Sequence, residues 1–276
     1  MLELAKVADE CGFDGLWVGE HILNPVDYGS DHPSEDGGVE LARPVIDKST
    51  ELIDPLVTFG AVAAATARLR IATGVYLVPL RHPLATARVT STLQALAGGR
   101  FLLGVGAGWL REEFDVLGIP FAERIGRLEE ALDILRKAWS AEEFSYDGRY
   151  FSFDTVQMNS EPVAVPVVMG GNGPKALARA ARMGDGWFAS GTPTFDEAVA
   201  LHSDVSRLRA MHEDLPPLQC FVRTNGSSRR DVERYAEAGF DNVVIWADRL
   251  WVGRSLEERT AHLRDSAERL GLARSK

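Results

Sequence analysis

A chain of 276 residues that is 45% hydrophobic and 25% charged holds enough apolar material for a large core without staples, which excludes disordered, collagen-like and low-complexity architectures. Its 40 acidic and 30 basic residues leave a formal charge of −10, which argues against nucleic acid or an anionic membrane as partner, because nothing supplies the attraction to phosphate. Cys11 and Cys220 make neither a disulfide framework nor a metal site, and a reducing cytoplasm fits them best.

The opening Met-Leu-Glu-Leu-Ala-Lys has no leader-like apolar region, and the longest apolar stretch, residues 59–67, is far short of the roughly 20 residues a membrane helix needs. Leu4, Val7, Ala8 and Cys11 share one helical face, and Gly12 stands where a helix stops. Leu16-Trp17-Val18 is short and apolar, as a buried parallel strand is. The same alternation then repeats. Helices are predicted at 54–67, 84–97, around Ile125, Leu128, Leu132 and Leu135, and at 176–183, 195–211, 231–238 and 256–270. Strands are predicted at 70–73, 101–103, 166–169, 186–188, 219–222 and 243–245. Repeated helix–strand units with apolar strands make a parallel sheet covered by helices, and seven strands with eight helices favour an α/β fold of the (β/α)8 TIM-barrel type. A single domain over residues 1–276 is expected. Ala8-Asp9-Glu10-Cys11-Gly12-Phe13-Asp14 is echoed by Ala236-Glu237-Ala238-Gly239-Phe240-Asp241 and by Met183-Gly184-Asp185-Gly186; repeat ancestry and ordinary loop chemistry both account for it. Two stretches break the pattern. Residues 24–53 form a long polar segment leaving the end of a strand, where barrels keep their sites, and read as a lid. Residues 141–165, with aromatics alternating around Asp147-Gly148, read as a hairpin insertion.

Gly104-Val105-Gly106-Ala107-Gly108 follows a strand but fits neither the dinucleotide fingerprint nor a P-loop. It is either a turn demanded by packing or a place where several N–H groups meet one anion. Gly170-Gly171-Asn172-Gly173-Pro174 opens a helix, and a helix start preceded by glycines is an anion site. The pair points to a phosphorylated ligand held by backbone dipoles. Glu20-His21, just past a strand, is either a ligand-binding and proton-moving pair or ordinary surface and core. Thr73-Gly74-Val75-Tyr76 places a glycine inside an apolar run, the mark of a bulge or of close approach by a ligand. Trp17, Trp187 and Trp246 sit on or at strand ends, where most tryptophans fill core; Trp109, after the glycine run, is a better pocket candidate. No HExxH, cysteine cluster or GxSxG is present, so zinc hydrolysis and a nucleophile elbow find no support, and no metal is expected.

In this order and spacing, Gly12-Phe-Asp-Gly-Leu-Trp-Val-Gly-Glu-His21, Leu80-Arg-His-Pro83, Gly98-Gly-Arg-Phe-Leu-Leu-Gly-Val-Gly-Ala-Gly-Trp109, Arg111-Glu-Glu-Phe114, Gly148-Arg149-Tyr150-Phe151, Gly170-Gly171-Asn172 and Gly184-Asp-Gly-Trp187 resemble the luciferase-like monooxygenase superfamily, in particular its coenzyme F420-dependent branch. The resemblance runs from residue 1 to about 270. It implies a deazaflavin at the strand carboxyl ends, with its phosphate side on Gly106, Ala107, Gly108, Gly170, Gly171, Asn172 and Gly173. It implies that Thr73, Gly74 and Val75 form a bulge behind the ring, with a non-proline cis bond at Gly74–Val75. It further implies that His21 is an acid or base near the reactive carbon and that Glu20 contacts the ring. Members that oxidise sugar phosphates carry a carboxylate directly after the glycine run. Trp109 stands there in this chain, which favours an apolar or aromatic substrate, with Trp109 and Trp246 in its pocket. The expected function is F420-dependent hydride transfer to or from a small organic molecule. The alternatives are an FMN-dependent monooxygenase of the same superfamily and a deazaflavin-binding protein without turnover; for a barrel isomerase or aldolase no lysine at a strand end presents itself. A small-molecule substrate and a homodimer are the expected partners. The superfamily begins with an apolar strand ahead of the helix that here starts at Met1. A missing first strand is therefore expected, supplied by a start about 20 residues upstream or covered by a later segment or partner chain.

Overall fold

Local signals place each helix. In the computed structural model, which describes residues 1–30, 46 and 50–272, Gly12 ends α1 (Leu2–Cys11) at φ 86°, a left-handed conformation suited to glycine. Asp54 accepts from the Leu56 and Val57 N–H groups, with Pro55 at the first helical position, and so starts α2 (Pro55–Ala65). Capping boxes Thr194–Glu197, Ser228–Asp231 and Ser255–Glu258 start α7 (Phe195–Arg209), α8 (Arg229–Glu237) and α10 (Leu256–Leu270). The second box explains why α8 begins two residues before its apolar periodicity does. The remaining helices are α3 (Pro83–Leu96), α4 (Arg111–Val116), α5 (Arg124–Trp139), α6 (Pro174–Met183) and α9 (Ala247–Leu250).

The strands are β1 (Gly15–Val18), β2 (Arg70–Thr73), β3 (Tyr76–Leu77), β4 (Phe101–Gly106), β5 (Phe144–Asp147), β6 (Ser152–Val156), β7 (Val167–Gly170), β8 (Gly186–Phe188), β9 (Gln219–Thr224) and β10 (Asn242–Ile245). Seven pair in parallel in the order β1-β2-β4-β7-β8-β9-β10, with the short β3 alongside β4. The sheet curls nearly into a barrel inside a ring of helices. Its inner layer is Trp17, Ala72, Leu102, Val168, Phe188 and Phe221, with Val244 packed against it. Trp17 stacks on Phe188 and meets Phe221 edge-on, both at 4.9 Å between centroids, so β1 touches β8 and β9 through the interior. Alternate residues such as Ile71, Leu103, Val105, Val167 and Trp187 face the helices. Full burial of a side chain of this size contributes about 1.5–3 kcal/mol.

The missing-strand expectation has a structural counterpart. Among the described residues no strand pairs with the outer edges of β1 and β10. The helical ring nevertheless closes outside this opening, where α1 packs on α10 and Glu10 pairs with Arg264 at 2.8 Å. Residues 141–165 contain the antiparallel pair β5–β6. Its turn is held by Glu130, whose carboxylate accepts from the Arg149, Tyr150 and Phe151 N–H groups.

Two of the echoed acids share a job. Asp185, just before β8, accepts from the Val167 N–H at the start of β7, and Asp241, before β10, accepts from the Cys220 N–H of β9, both at 2.8 Å. Burial, helped by the Asp241 charge, pushes the Cys220 thiol up to about 12. At pH 8 only about one Cys220 in ten thousand is then thiolate. Both cysteines are buried, so iodoacetamide at pH 8 is expected to leave the native chain unmodified and to label both only after unfolding, as read by intact mass. Rapid native labelling of Cys220 would contradict its placement. Among the described residues no helix is long and apolar enough to cross a membrane.

Candidate active site

Glu20 and His21 leave the end of β1 together and then part. Glu20 turns inward. Its carboxylate accepts from the Leu77 N–H at 2.8 Å and meets Arg81 through Nη2–Oε1 at 2.6 Å and Nη1–Oε2 at 3.1 Å. The Arg81 guanidinium lies 4.4 Å from the centroid of Tyr76. Burial outweighs the Arg81 charge and raises the Glu20 carboxyl above its ordinary pKa. The carboxylate beside the imidazole is therefore not Glu20 but Glu113, on α4. Glu113 is fully buried. It binds His21 Nδ1 at 2.9 Å through Oε2 and accepts from the Ile22 N–H at 2.6 Å through Oε1. A carboxylate acceptor at Nδ1 fixes the tautomer and leaves Nε2 to exchange protons. The Trp109 ring stands edge-to-face with those of His21 and Tyr28, at 5.7 and 5.8 Å between centroids.

The preceding residue of the same helix, Glu112, holds the start of the 24–53 segment through the Gly29 N–H at 2.8 Å and the Ser30 hydroxyl at 2.7 Å. Asn24 donates to the Thr50 carbonyl, which joins the two ends of that segment. The described part of the expected lid thus lies on the face that carries His21. Residues 31–45 and 47–49 of it are outside the described residues.

The glycines fit one another through close approach. The Gly74–Val75 peptide is cis, and the Gly74 N–H donates to the Val18 carbonyl at 2.8 Å. The Thr73 hydroxyl donates to the Gly104 carbonyl at 2.7 Å, and the backbones approach so closely that a Cβ on Gly104 would stand 1.8 Å from the Thr73 carbonyl oxygen. The Val75 side chain lies over Gly106 and Gly170, where added Cβ atoms would meet it at 2.4 and 3.1 Å. Since β4 and β7 are neighbours, the loops that carry Gly106, Ala107 and Gly108 and Gly170 to Gly173 run side by side. Gly108 at φ 86° and Gly171 at φ 122° take conformations that disfavour any side chain. Gly173 caps α6 with no side-chain hydrogen bond; Pro174 brings no N–H and the Ala176 and Leu177 N–H groups go to the Gly173 carbonyl at 2.8 and 3.0 Å, so the backbone donors left at this helix start are those of Gly173 and Lys175. The Asn172 amide is taken up by the Ser190 N–H and carbonyl at 2.8 and 2.9 Å and braces the neighbouring loop. Trp187 is buried, with its indole N–H on the Gly171 carbonyl. Trp246 is 42% exposed at the end of β10, donates to the Thr192 hydroxyl at 3.0 Å and lies against Arg223, whereas Trp109 lies against His21 and Tyr28.

The sequence does not show Glu113, Arg81 or Tyr28 as members of this site. Glu113 stands in a motif, but its partner is 92 residues away. Among the described residues no group of His, Cys, Asp and Glu is arranged to hold a metal.

The model of the luciferase-like monooxygenase family matches residues 1–269. An uncharacterised protein of Mycobacterium tuberculosis is 30% identical over 247 residues, covering 88% of this chain and 83% of that one. An F420-dependent glucose-6-phosphate dehydrogenase of Nakamurella multipartita is 28% identical over 284 residues, covering 99% and 74%. A monooxygenase from Streptomyces bottropensis has the same fold, with a TM-score of 0.74 at 20% identity over 98% of this chain and 91% of that one. So has an F420-dependent secondary alcohol dehydrogenase, with a TM-score of 0.72 at 18% identity over 98% and 94%. With a family model that matches nearly its whole length, the chain belongs to the luciferase-like monooxygenases.

Proposed function

We propose that the chain is an oxidoreductase that uses coenzyme F420 and acts on a small organic molecule other than a sugar phosphate. The observation that carries this reading is the buried Glu113 behind His21, at the same barrel mouth as the two glycine loops. A cradle in which any Cβ at Gly106 or Gly170 would strike Val75, beside an uncapped helix start, suits a phosphate-tailed ring. In this reading the backbone of Gly106, Ala107, Gly108 and Gly170 to Gly173 holds the phosphate side, and Thr73, Gly74 and Val75 back the ring. When bound, the deazaflavin supplies a two-electron hydride donor or acceptor. Glu113 holds His21 with Nδ1 protonated, and Nε2 takes up or delivers the proton that accompanies the hydride. Glu20, neutralised by Arg81, shapes the floor beside His21. Trp109 and Tyr28 present aromatic rings to the substrate side where a sugar-phosphate enzyme has a carboxylate.

The cofactor assignment is tested by titrating the purified protein with F420 and with FMN and following fluorescence. F420 is expected to bind at least about tenfold more tightly, a difference of about 1.4 kcal/mol. A preference for FMN would overturn the assignment in favour of a flavin monooxygenase. Tight F420 binding with no turnover of any alcohol, aldehyde or enone would favour a carrier.

A further inference from the structure

One charged side chain at the barrel mouth has no role in the reading above. Phe221 and Val244 belong to the apolar layer that fills the barrel, and two residues further along the same strands come Arg223 and Trp246. At the equivalent step the other strands offer Gly19, Gly74, Gly104, Gly170 and Ser190. The strand period of two puts these positions on the inner face. The neighbours of their added Cβ atoms agree: Gly74 and Gly104 would meet the Trp17 ring at 3.1 and 3.4 Å, and Gly170 would meet the Ser190 hydroxyl at 3.7 Å. Apart from Val75, whose side chain lies over Gly170, the level above the apolar layer thus carries small side chains or none on these strands, and Arg223 reaches it from β9.

The Arg223 guanidinium lies 5.0 Å from the centroid of Phe188 and 4.3 Å from that of Trp246, and Trp246 is itself held by Thr192. Other part-buried arginines are answered by acceptors. Arg209 donates to the carbonyls of Pro216, Ala181 and Gly184, Arg100 to those of Leu69, Ala63 and Thr66, and Arg81 to Glu20. Among the described residues Arg223 has neither a carboxylate nor a hydrogen-bond acceptor. Burial alone acts on it and lowers its pKa to about 10, which keeps it cationic at neutral pH. Its five N–H donors have no acceptor from the described residues, and since Arg223 is half-buried and none of its nitrogens is among the fully buried unpartnered atoms, they stay within reach of a ligand at the mouth.

We infer that Arg223 anchors a carboxylate on the substrate. Aromatic rings beside the guanidinium leave its edge for an acceptor in the plane, and two carboxylate oxygens match that fork. A slot between Phe188 and Trp246 suits a planar anion better than a tetrahedral phosphate. The assignment of this anion to the substrate rests on the proposed redox site; the binding of the anion does not.

The test uses the full chain and calorimetric titration with benzoate, phenylacetate and cyclohexanecarboxylate, each against its amide, with and without F420. At least one carboxylate is expected to bind about 10- to 100-fold more tightly than its amide, the range of a charge-assisted contact. Arg223→Met should abolish that preference and leave the affinities for the amide and for F420 within about twofold, and Arg223→Lys should keep part of it. Because no partner is left unpaired, Arg223→Met should melt at or above the parent temperature; a marked fall would mean that the arginine serves the fold, and would overturn the inference. So would the absence of any carboxylate preference, its survival in Arg223→Met, or a tenfold loss of F420 affinity in that variant, which would give the arginine to the cofactor. If the parent chain does not bind F420, the redox reading fails by itself, and the carboxylate preference still decides the role of Arg223.

Discussion

A His21→Ala variant is expected to turn over any accepted substrate about 10²- to 10⁴-fold more slowly than the parent, the usual worth of a positioned acid or base. It should bind F420 within a few-fold of the parent affinity. The substitution removes the imidazole whose Nδ1 lies 2.9 Å from Glu113, while Glu113 keeps its bond from the Ile22 N–H. The glycine loops are untouched, so binding and chemistry should separate. Steady-state turnover and a fluorescence titration on the same preparation check both halves. Unchanged turnover would move the proton step away from His21, and a large loss of cofactor affinity would make the imidazole a binding group instead.

Gly104→Ala is expected to be the more damaging change to the fold. Its Cβ would stand 1.8 Å from the Thr73 carbonyl oxygen, which is backbone of the bulge and cannot swing aside as a side-chain end does. Overpacking usually costs about 1–3 kcal/mol and occasionally more, and a backbone clash between adjacent strands belongs at the upper end. That is a large part of a total stability of about 5–15 kcal/mol. Gly60→Ala supplies the control, since an added Cβ in the middle of α2 meets nothing within 4 Å and alanine favours a helix interior by up to about 1 kcal/mol. Thermal or urea melts should place Gly104→Ala well below the parent and Gly60→Ala level with it or above. Equal stability of the two variants would contradict the close approach of β2 and β4.

Period and punctuation carried most of the barrel. A run such as Val167 to Met169 is apolar because the sheet buries it on both faces, and Gly12 and Asp54-Pro55 mark helix ends through local backbone chemistry. The short elements escape the same reasoning. The two residues of β3 and the six of α4 are too brief to show a period. Partnership is harder still. Glu20 beside His21 invites a pair, yet a strand end sends neighbouring side chains to opposite sides, so Glu20 finds Arg81 and His21 finds Glu113. Asn172 looks like a ligand in sequence because nothing there reveals Ser190. Arg223 carries no motif at all; its isolation exists only because the surrounding strands bring glycine and serine to its level.

The bonds of Asp185 give the open edge of the barrel a definite geometry. Its carbonyl receives the Gln219 N–H of the next strand, while its own N–H and carboxylate reach back to the Val167 carbonyl and N–H of the strand before. Asp14 stands in the same place ahead of β1, and its carbonyl likewise receives the Arg70 N–H at 3.0 Å. Among the described residues its carboxylate has no strand to reach back to. Any extended segment that enters between β10 and β1 therefore meets a keyed slot: direction parallel to its neighbours, first amide on Asp14, and side chains alternating between Trp17 inside and α1 and α10 outside. A slip by one residue would exchange the side chains that face Trp17 with those that face α1 and α10 and leave that first amide without its acceptor, so the slot selects register as well as shape.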